Sequence, residues 1–259
     1  MRYARRRQLI PEGRVRPQGG GTQNTPDETL FAAIIYVLVS GCSWRALPPC
    51  FGISKSTAHR RFMIWSRAGV WGRLHEAVLH QLDEAGLIDV SRVVLDSAHV
   101  RAKRGELTGP SPVDRGEPGS KMHILSDANG LPLVVGLSAA NTHDSGGLKP
   151  MVAGHQSRRD PHRGRYFKAQ RLHADKAYDV PHLWKWLRGK RIGVRIARKG
   201  IESSERSGRR RWVIERTMSW LTGYRRLNHR YERHPRNHLA FLGLAAAPCC
   251  YKRFLKLTT

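Results

Sequence analysis

The chain has 259 residues, enough for one large or two modest domains around a real hydrophobic core. Lys and Arg number 46 against 20 Asp and Glu, a formal net charge of +26 with His neutral, which points to a polyanionic partner held by phosphate contacts and counterion release. The longest apolar run, Leu30 to Val39, is about half of what a bilayer span needs, Met1 to Gly21 has no apolar leader core, and Cys42, Cys50, Cys249 and Cys250 lack zinc-ligand spacing, so membrane-spanning, secreted and zinc-module readings are set aside.

Residues 1–26 are rich in Arg, Gly and Pro without periodicity and read as a flexible basic arm. Asp27 can cap a helix running through Val39 and ending before Ser40-Gly41. Ser43 to Pro49 reads as a short helical turn stopped by two prolines. Ser54 is the N-cap candidate for a helix from Lys55 to Ala68 with Ala58, Phe62 and Trp65 facing inward. A third helix is expected from about Val70 to Glu84. Residues 27–88 thus form an all-helical unit resembling a helix-turn-helix module, with Lys55, Ser56, Thr57, His59, Arg60 and Arg61 toward its exposed side. An all-helical lid with solvated basic residues fits the same pattern.

From Val90 the period changes, and residues 89–259 read as a second domain. Arg92 to Asp96 is a β-branched run closing on a carboxylate. The Gly- and Pro-rich stretch 101–118 is a loop. Met122 to Ser126 and Leu133 to Leu137 flank Asp127-Ala128-Asn129-Gly130, whose Asn-Gly is a strong hairpin signal. A weak helix over Ser145 to Ala153 precedes a basic loop, then a strand from Arg171 to Asp175, a helix from Val180 to Leu187 and a strand from Ile192 to Ile196. This order predicts a mixed α/β sheet with helices on its faces.

The last helix, Gly208 to Arg226, spaces Ile214, Met218 and Leu221 for burial. Arg211, Glu215, Ser219, Thr222 and Arg226 form a polar stripe beside them. Glu215 is the only acid between Glu205 and Glu232. An ordinary ion pair with Arg211 would account for it. The alternative is a carboxylate set in a cationic surface to hold a divalent metal beside a polyphosphate. Asp96 and Asp175 supply partners: each closes a short strand, and if those strands are parallel neighbours both acids emerge at one sheet edge. Three convergent carboxylates suit two metal ions about 3.5–4 Å apart for in-line displacement at phosphorus. Other acids have simpler readings: Asp127 belongs to the hairpin turn, Asp144 to a helix cap and Asp114 to a loop. On these residues alone a basic binding protein with scattered acids stays open.

Val94-Leu95-Asp96-Ser97, Asp114-Arg115-Gly116 with Gly119 to His123, Ala140-Asn141-Thr142-His143-Asp144, Ala174 to Asp179, and Arg211 to Arg216 with Trp220-Leu221 and Arg225-Arg226-Leu227 closely resemble, in order and spacing, bacterial insertion-sequence transposases of the DDE type, family five. Gly41 to Pro49 and Phe62 through Trp71 are similar to that family's helical N-terminal domain. The resemblance implies an RNase H-like core with Asp96, Asp175 and Glu215 as catalytic metal ligands for two Mg²⁺ ions, Mn²⁺ being able to substitute. It implies hydrolytic nicking at element ends, then attack of the freed 3′-hydroxyl on target DNA. The implied partners are double-stranded DNA, as terminal inverted repeats and target, and a second copy in a homodimer, with no membrane and a cytoplasmic, nucleoid-associated location. Lys55, Arg60, Arg61, Lys121, Lys176, Arg211, Arg216, Arg225 and Arg226 are the candidate DNA contacts. His123, His143 and His173 are left outside the catalytic set.

The chain departs from the wider superfamily's Tyr-Arg-Glu-Lys signature. The Arg and Glu fit at Arg211 and Glu215, but Gly208 and Thr222 stand where Tyr and Lys belong. The family opens with another apolar helical segment, whereas this chain starts MRYARRR, and Pro248 interrupts the apolar run Leu242 to Cys250. A shifted start, a broken terminal helix and a weakly active copy are the corresponding expectations.

Overall fold

The computed structural model describes residues 9–11, 25–156, 168–198, 200 and 204–258, with the side chains of 204–211, 257 and 258 outside that description. The basic arm expected over 1–26 falls almost wholly outside the described residues.

Three helices come first: α1 (Asp27–Ser40), α2 (Lys55–Arg67) and α3 (Val70–Glu84). Pro26 rather than Asp27 takes the cap position of α1, with Asp27 and Glu28 in the first turn where they meet the positive end of the helix dipole. The helix stops at Gly41, whose φ of 71° closes the last turn and whose missing side chain lets Arg225 pack against it. Ser54 caps α2 as expected, its Oγ accepting the Thr57 N–H at 3.0 Å.

The sheet contains β1 (Val93–Ala102), β2 (Gly109–Pro110), β3 (Pro118–Ser126), β4 (Pro132–Ala139), β5 (Arg171–Ala174), β6 (Gly193–Ile196) and β7 (His229–Arg230). Strands β1, β3 and β4 form an antiparallel meander, and β5 and then β6 add in parallel on the far side of β1. This is the RNase H-like arrangement, a mixed sheet with helices on both faces. The helices of this half are α4 (Ser145–Gln156), α5 (Pro181–Gly189), α6 (Ser204–Thr222) and α7 (Pro235–Thr258).

Alternation along β1 divides the molecule into two cores. Val94 and Val100 join a cluster on one face with Leu30, Ile34, Phe62, Trp65, Trp71, Ile214, Leu221 and Phe241. Val93 and Leu95 join one on the other face with Leu148, Met151, Leu172, Tyr178, Leu183 and Leu187. Both faces of the sheet are therefore dry, as a sheet with parallel strands requires. The first cluster takes in all three N-terminal helices. Phe62 of α2 stacks on Phe241 of α7 at 4.3 Å between ring centroids, and Trp44 lies against both rings. The division at 88/89 is thus a change of secondary structure without a break in packing.

Two expectations are corrected. Strand β1 does not end at Asp96 but runs on to Ala102, because its ladder with β3 continues from Asp96↔Ile124 to Arg101↔Gly119 and keeps Val100 and Ala102 buried. The terminal helix α7 passes unbroken through Pro248. Ala245, Ala246, Ala247 and Cys250 are buried around that position, and their packing offsets the ~3 kcal/mol that an interior proline costs.

Candidate active site

The register of two parallel strands builds the site. β1 and β5 pair at Val93↔Leu172 and Val94↔His173, after which no further β5 pairing occurs. Two residues further on, Asp96 in β1 and Asp175, the first residue past β5, come level in the register, with neighbouring strands about 4.8 Å apart. β7 takes up the same edge of β1 only at Arg101 and Ala102. Between them, among the described residues, this edge of β1 has no strand partner over residues 95–100, at the end of the parallel strands where α/β sheets place ligands. The Ser97 N–H donates to Asp96 Oδ1 at 2.8 Å, and the Ala177 N–H donates to Asp175 Oδ1 at 2.9 Å. Asp175 thereby caps the helical turn Lys176–Tyr178.

Glu215 comes from α6. That helix buries Ile214 and Leu221 against the β1 face that carries Asp96. Its Arg216 Nη2 and Thr217 Oγ1 donate to the carbonyls of Asn129 and Gly130 in the β3–β4 turn, both at 2.7 Å. Glu215 precedes Arg216 on the same helix, beside the buried Ile214. Its side chain is exposed. Among the described residues no three His, Cys, Asp or Glu side chains are gathered closely enough to hold a metal ion. The two aspartates are brought together, and Glu215 is held on the facing element without joining them. Collecting three like charges costs electrostatic energy that an intervening cation repays.

Two further residues lie in the surroundings. Asp144 directly precedes α4, but its carboxylate turns to the sheet. Its Oδ1 accepts from Ser97 Oγ and from Lys121 Nζ, each at 2.7 Å. Tyr178 is 1% exposed, and burial first, then the charges of Asp96, Asp144 and Asp175, push its phenol pKa upward. The motifs Asn141 to Asp144 and Asp175 to Asp179 contained both, but spacing alone gives no sign that two distant segments meet.

His123 is buried on β3, with Nε2 bound to Ser138 Oγ at 2.8 Å. Burial lowers its pKa from 6.5 to about 4, so it is a neutral structural residue near pH 7. An unfolded chain takes up that proton first, so stability is lost as pH falls from about 6.5 toward about 4, by on the order of 3 kcal/mol. Melting curves of parent and His123→Asn protein over this range test it. The parent's advantage should shrink toward acid, and a constant difference would refute the assignment.

The candidate DNA contacts divide. Lys55, Arg60, Lys176 and Arg225 are exposed and Arg61 is half-buried. The side chain of Arg211 lies outside the described residues. Lys121 does not face solvent: it is 4% exposed, paired with Asp144 and donating to Thr142 O. Arg226 is also buried, bonded to Glu232 Oε1 at 2.6 Å and to Cys42 O. An ammonium or guanidinium this far from water needs such partners, so neither is available to DNA. Arg216 lies over the rings of Trp212 and Trp220, at 4.4 and 4.9 Å from their centroids.

Residues 85–250 match the family model for the transposase DDE domain. The chain belongs to the DDE transposase family. Residues 1–75 of this transposase match a second model, described as a putative transposase of the IS4/5 family. It is 41% identical over 145 residues to a putative transposase for insertion sequence element IS402 of Burkholderia cepacia, covering 56% of this chain and 68% of the relative. An uncharacterized 16.2 kDa protein of the same element is 37% identical over 106 residues, 40% of this chain and 72% of the relative. A pre-cleavage Mos1 transpososome structure aligns over 97% of this chain and 85% of its own at 11% identity, but its TM-score of 0.33 carries no weight.

As a DDE transposase, the protein is a DNA cleavage and strand-transfer enzyme whose chemistry depends on divalent metal ions. The donor set fits: Asp96 and Asp175 offer hard carboxylate oxygens, with no thiolate or imidazole at either position, as Mg²⁺ and Mn²⁺ prefer. Among the described residues no helix is long and apolar enough to cross a membrane.

Proposed function

We propose that this transposase nicks the ends of an insertion sequence and joins the freed 3′-hydroxyl to target DNA, with Asp96, Asp175 and Glu215 as its catalytic carboxylates. The register that sets Asp96 beside Asp175, with Glu215 on α6, carries this reading. Asp96, Asp175 and Glu215 would hold two Mg²⁺ ions, with Mn²⁺ able to substitute. Bound there, the ions would activate the attacking oxygen and stabilise the leaving one. The carboxylates fix the reacting phosphate against the sheet edge, and the buried strands beneath keep their geometry rigid. Relatives named for an insertion element support inverted-repeat ends as the substrate. A homodimer engaging both ends, in a cytoplasmic and nucleoid-associated setting, completes the reading.

Lys55, Arg60 and Arg61 on α2, with Lys176, Arg211, Arg216 and Arg225, are the phosphate contacts. The N-terminal half of α2 meets the duplex in the manner of a recognition helix. Removing a single exposed contact, Lys55→Ala or Arg225→Ala, should weaken binding of all duplexes alike and lower the slope of log K against log salt by about 1. An unchanged slope would exclude that side chain from the interface.

Strand transfer tests the function directly. A pre-cut donor duplex ending in a free 3′-hydroxyl, incubated with target plasmid and Mg²⁺, should yield joined products. Nicking of uncut ends without any joining would make the protein a nuclease of the same fold.

A further inference from the structure

We propose that the basic cavity beyond the ends of β5 and β6 is a second DNA site, in which Arg188 and Arg198, braced on Trp184, hold a backbone phosphate of the strand that passes the catalytic aspartates. The proposal rests on the reading of the protein as a DNA-cutting transposase with Asp175 in its site. Asp179, Pro181, Trp184, Lys185, Arg188 and Arg198 line an open cavity of about 520 Å³, within the roughly 300–1,000 Å³ range of small-ligand sites. Two segments build it. The chain leaving Asp175 makes the turn Lys176–Tyr178, reaches Asp179 and enters α5. β6 pairs with β5 up to Ala174↔Ile196, and the Ala197 N–H donates to Ala174 O at 3.1 Å. Arg198 therefore leaves the sheet at the same end of the parallel strands as Asp175.

The lining selects an anion. The guanidinium carbons of Arg188 and Arg198 lie 5.7 and 5.1 Å from the centroid of the Trp184 ring, within cation–π range. Trp184 is itself pinned, its Nε1–H donating to Asp179 Oδ1 at 3.1 Å. Asp179 is the one acid among the described residues of the lining, and it is turned to the indole. Lys185, Arg188 and Arg198 are all exposed, and among the described residues no carboxylate forms an ion pair with any of them. Three like charges around one cavity repel each other, a cost that an anionic occupant repays. A guanidinium lying over an indole is held in place while the N–H groups on its edge stay free, which suits bidentate contact with a phosphate. A phosphodiester is the anion that the neighbouring catalytic carboxylates bring to this end of the sheet.

The test replaces single phosphates of a duplex by neutral methylphosphonates and reads binding of the full-length protein by gel shift. One duplex spans an element end and its flank; a second is target DNA without element sequence. At one or two phosphates the parent should lose about tenfold in affinity. The variant Arg188→Gln/Arg198→Gln should keep the parent's melting temperature and bind the unmodified duplex about tenfold more weakly. At those same phosphates it should lose nothing further, while every other phosphate keeps its full effect. The duplex in which the coupled phosphates fall identifies their source as the element's end or the target. Each single variant should couple to the same phosphates, so the test stands even if the pair fails to fold. Equal losses in parent and variants at every phosphate would overturn the proposal. A parent that nicks and joins DNA while no phosphate couples removes this site alone; a parent that binds neither duplex removes the underlying reading as well.

Discussion

Asp96→Asn and Asp175→Asn should each abolish donor cleavage and strand transfer together, by at least about a thousandfold, while the DNA complex forms as well as before or slightly better. On the proposed assignment the two reactions fall together, because both are displacements at phosphorus at one set of carboxylates. A carboxamide keeps the shape and the backbone bond to Oδ1 at each position but removes the charge that holds a cation. Metal stabilisation of the developing charge contributes several kcal/mol, and each 1.36 kcal/mol is a factor of ten in rate. Binding should not suffer, because a negative charge beside a phosphate is lost. Glu215→Gln should behave in the same way, although Glu215 stands apart from the aspartates. Gel-shift titrations and product analysis on one labelled duplex measure all of this. Cleavage retained by any one variant would remove that residue from the set.

The largest expected effect on stability lies elsewhere, at Arg230. Its side chain is 0% exposed. Its guanidinium donates to the carbonyls of Glu106, Leu107, Glu232 and Arg233 and to Ser120 Oγ. One cation thus joins β7, the connection between β1 and β2, and β3. Arg230→Met fills much of the volume but takes the donor from the carbonyls of Glu106 and Glu232, while those of Leu107 and Arg233 keep Ser120 Oγ and the Glu106 N–H, at a cost of about 2–4 kcal/mol. For a chain of this size that lowers the melting temperature by roughly 10 °C. Arg230→Lys should recover only part, because an ammonium has three hydrogens and no planar fork. A melting temperature unchanged in the Met variant would show that the guanidinium contributes little. None of this was visible in the sequence, where Arg230 is one basic residue among 46.

What the sequence disclosed was whatever is local. Ser54 caps its helix. Asp127 serves the hairpin turn, accepting the N–H groups of Asn129 and Leu131. The inward face of α6 was legible from Ile214 and Leu221. Lengths were less so: β1 was cut short at Asp96 because its later polar residues, Ser97, His99 and Arg101, disguise a strand still laddered to β3. The two aspartates could be named from their strand-end positions, but their adjacency needed the β1–β5 register. Asp144 and Tyr178 could not be assigned, since each takes its meaning from a segment far away in the chain. Lys121 and Arg226 were misread for a similar reason. A cation's role depends on whether an acid has been folded against it, and Asp144 and Glu232 were.

The aromatic seam of Trp44, Phe62, Trp71 and Phe241 bears on how such elements can diversify. A transposase whose reading helices hung on a tether could acquire new end sequences by trading that module with a relative. Here the N-terminal helices and the sheet are welded along an oily face, so a traded N-terminal half brings mismatched rings. On the proposed reading of α2, changes of target in this lineage are expected to arise by point substitution on its outward side, and chimaeras to require the matching stretch of α7 from the same parent.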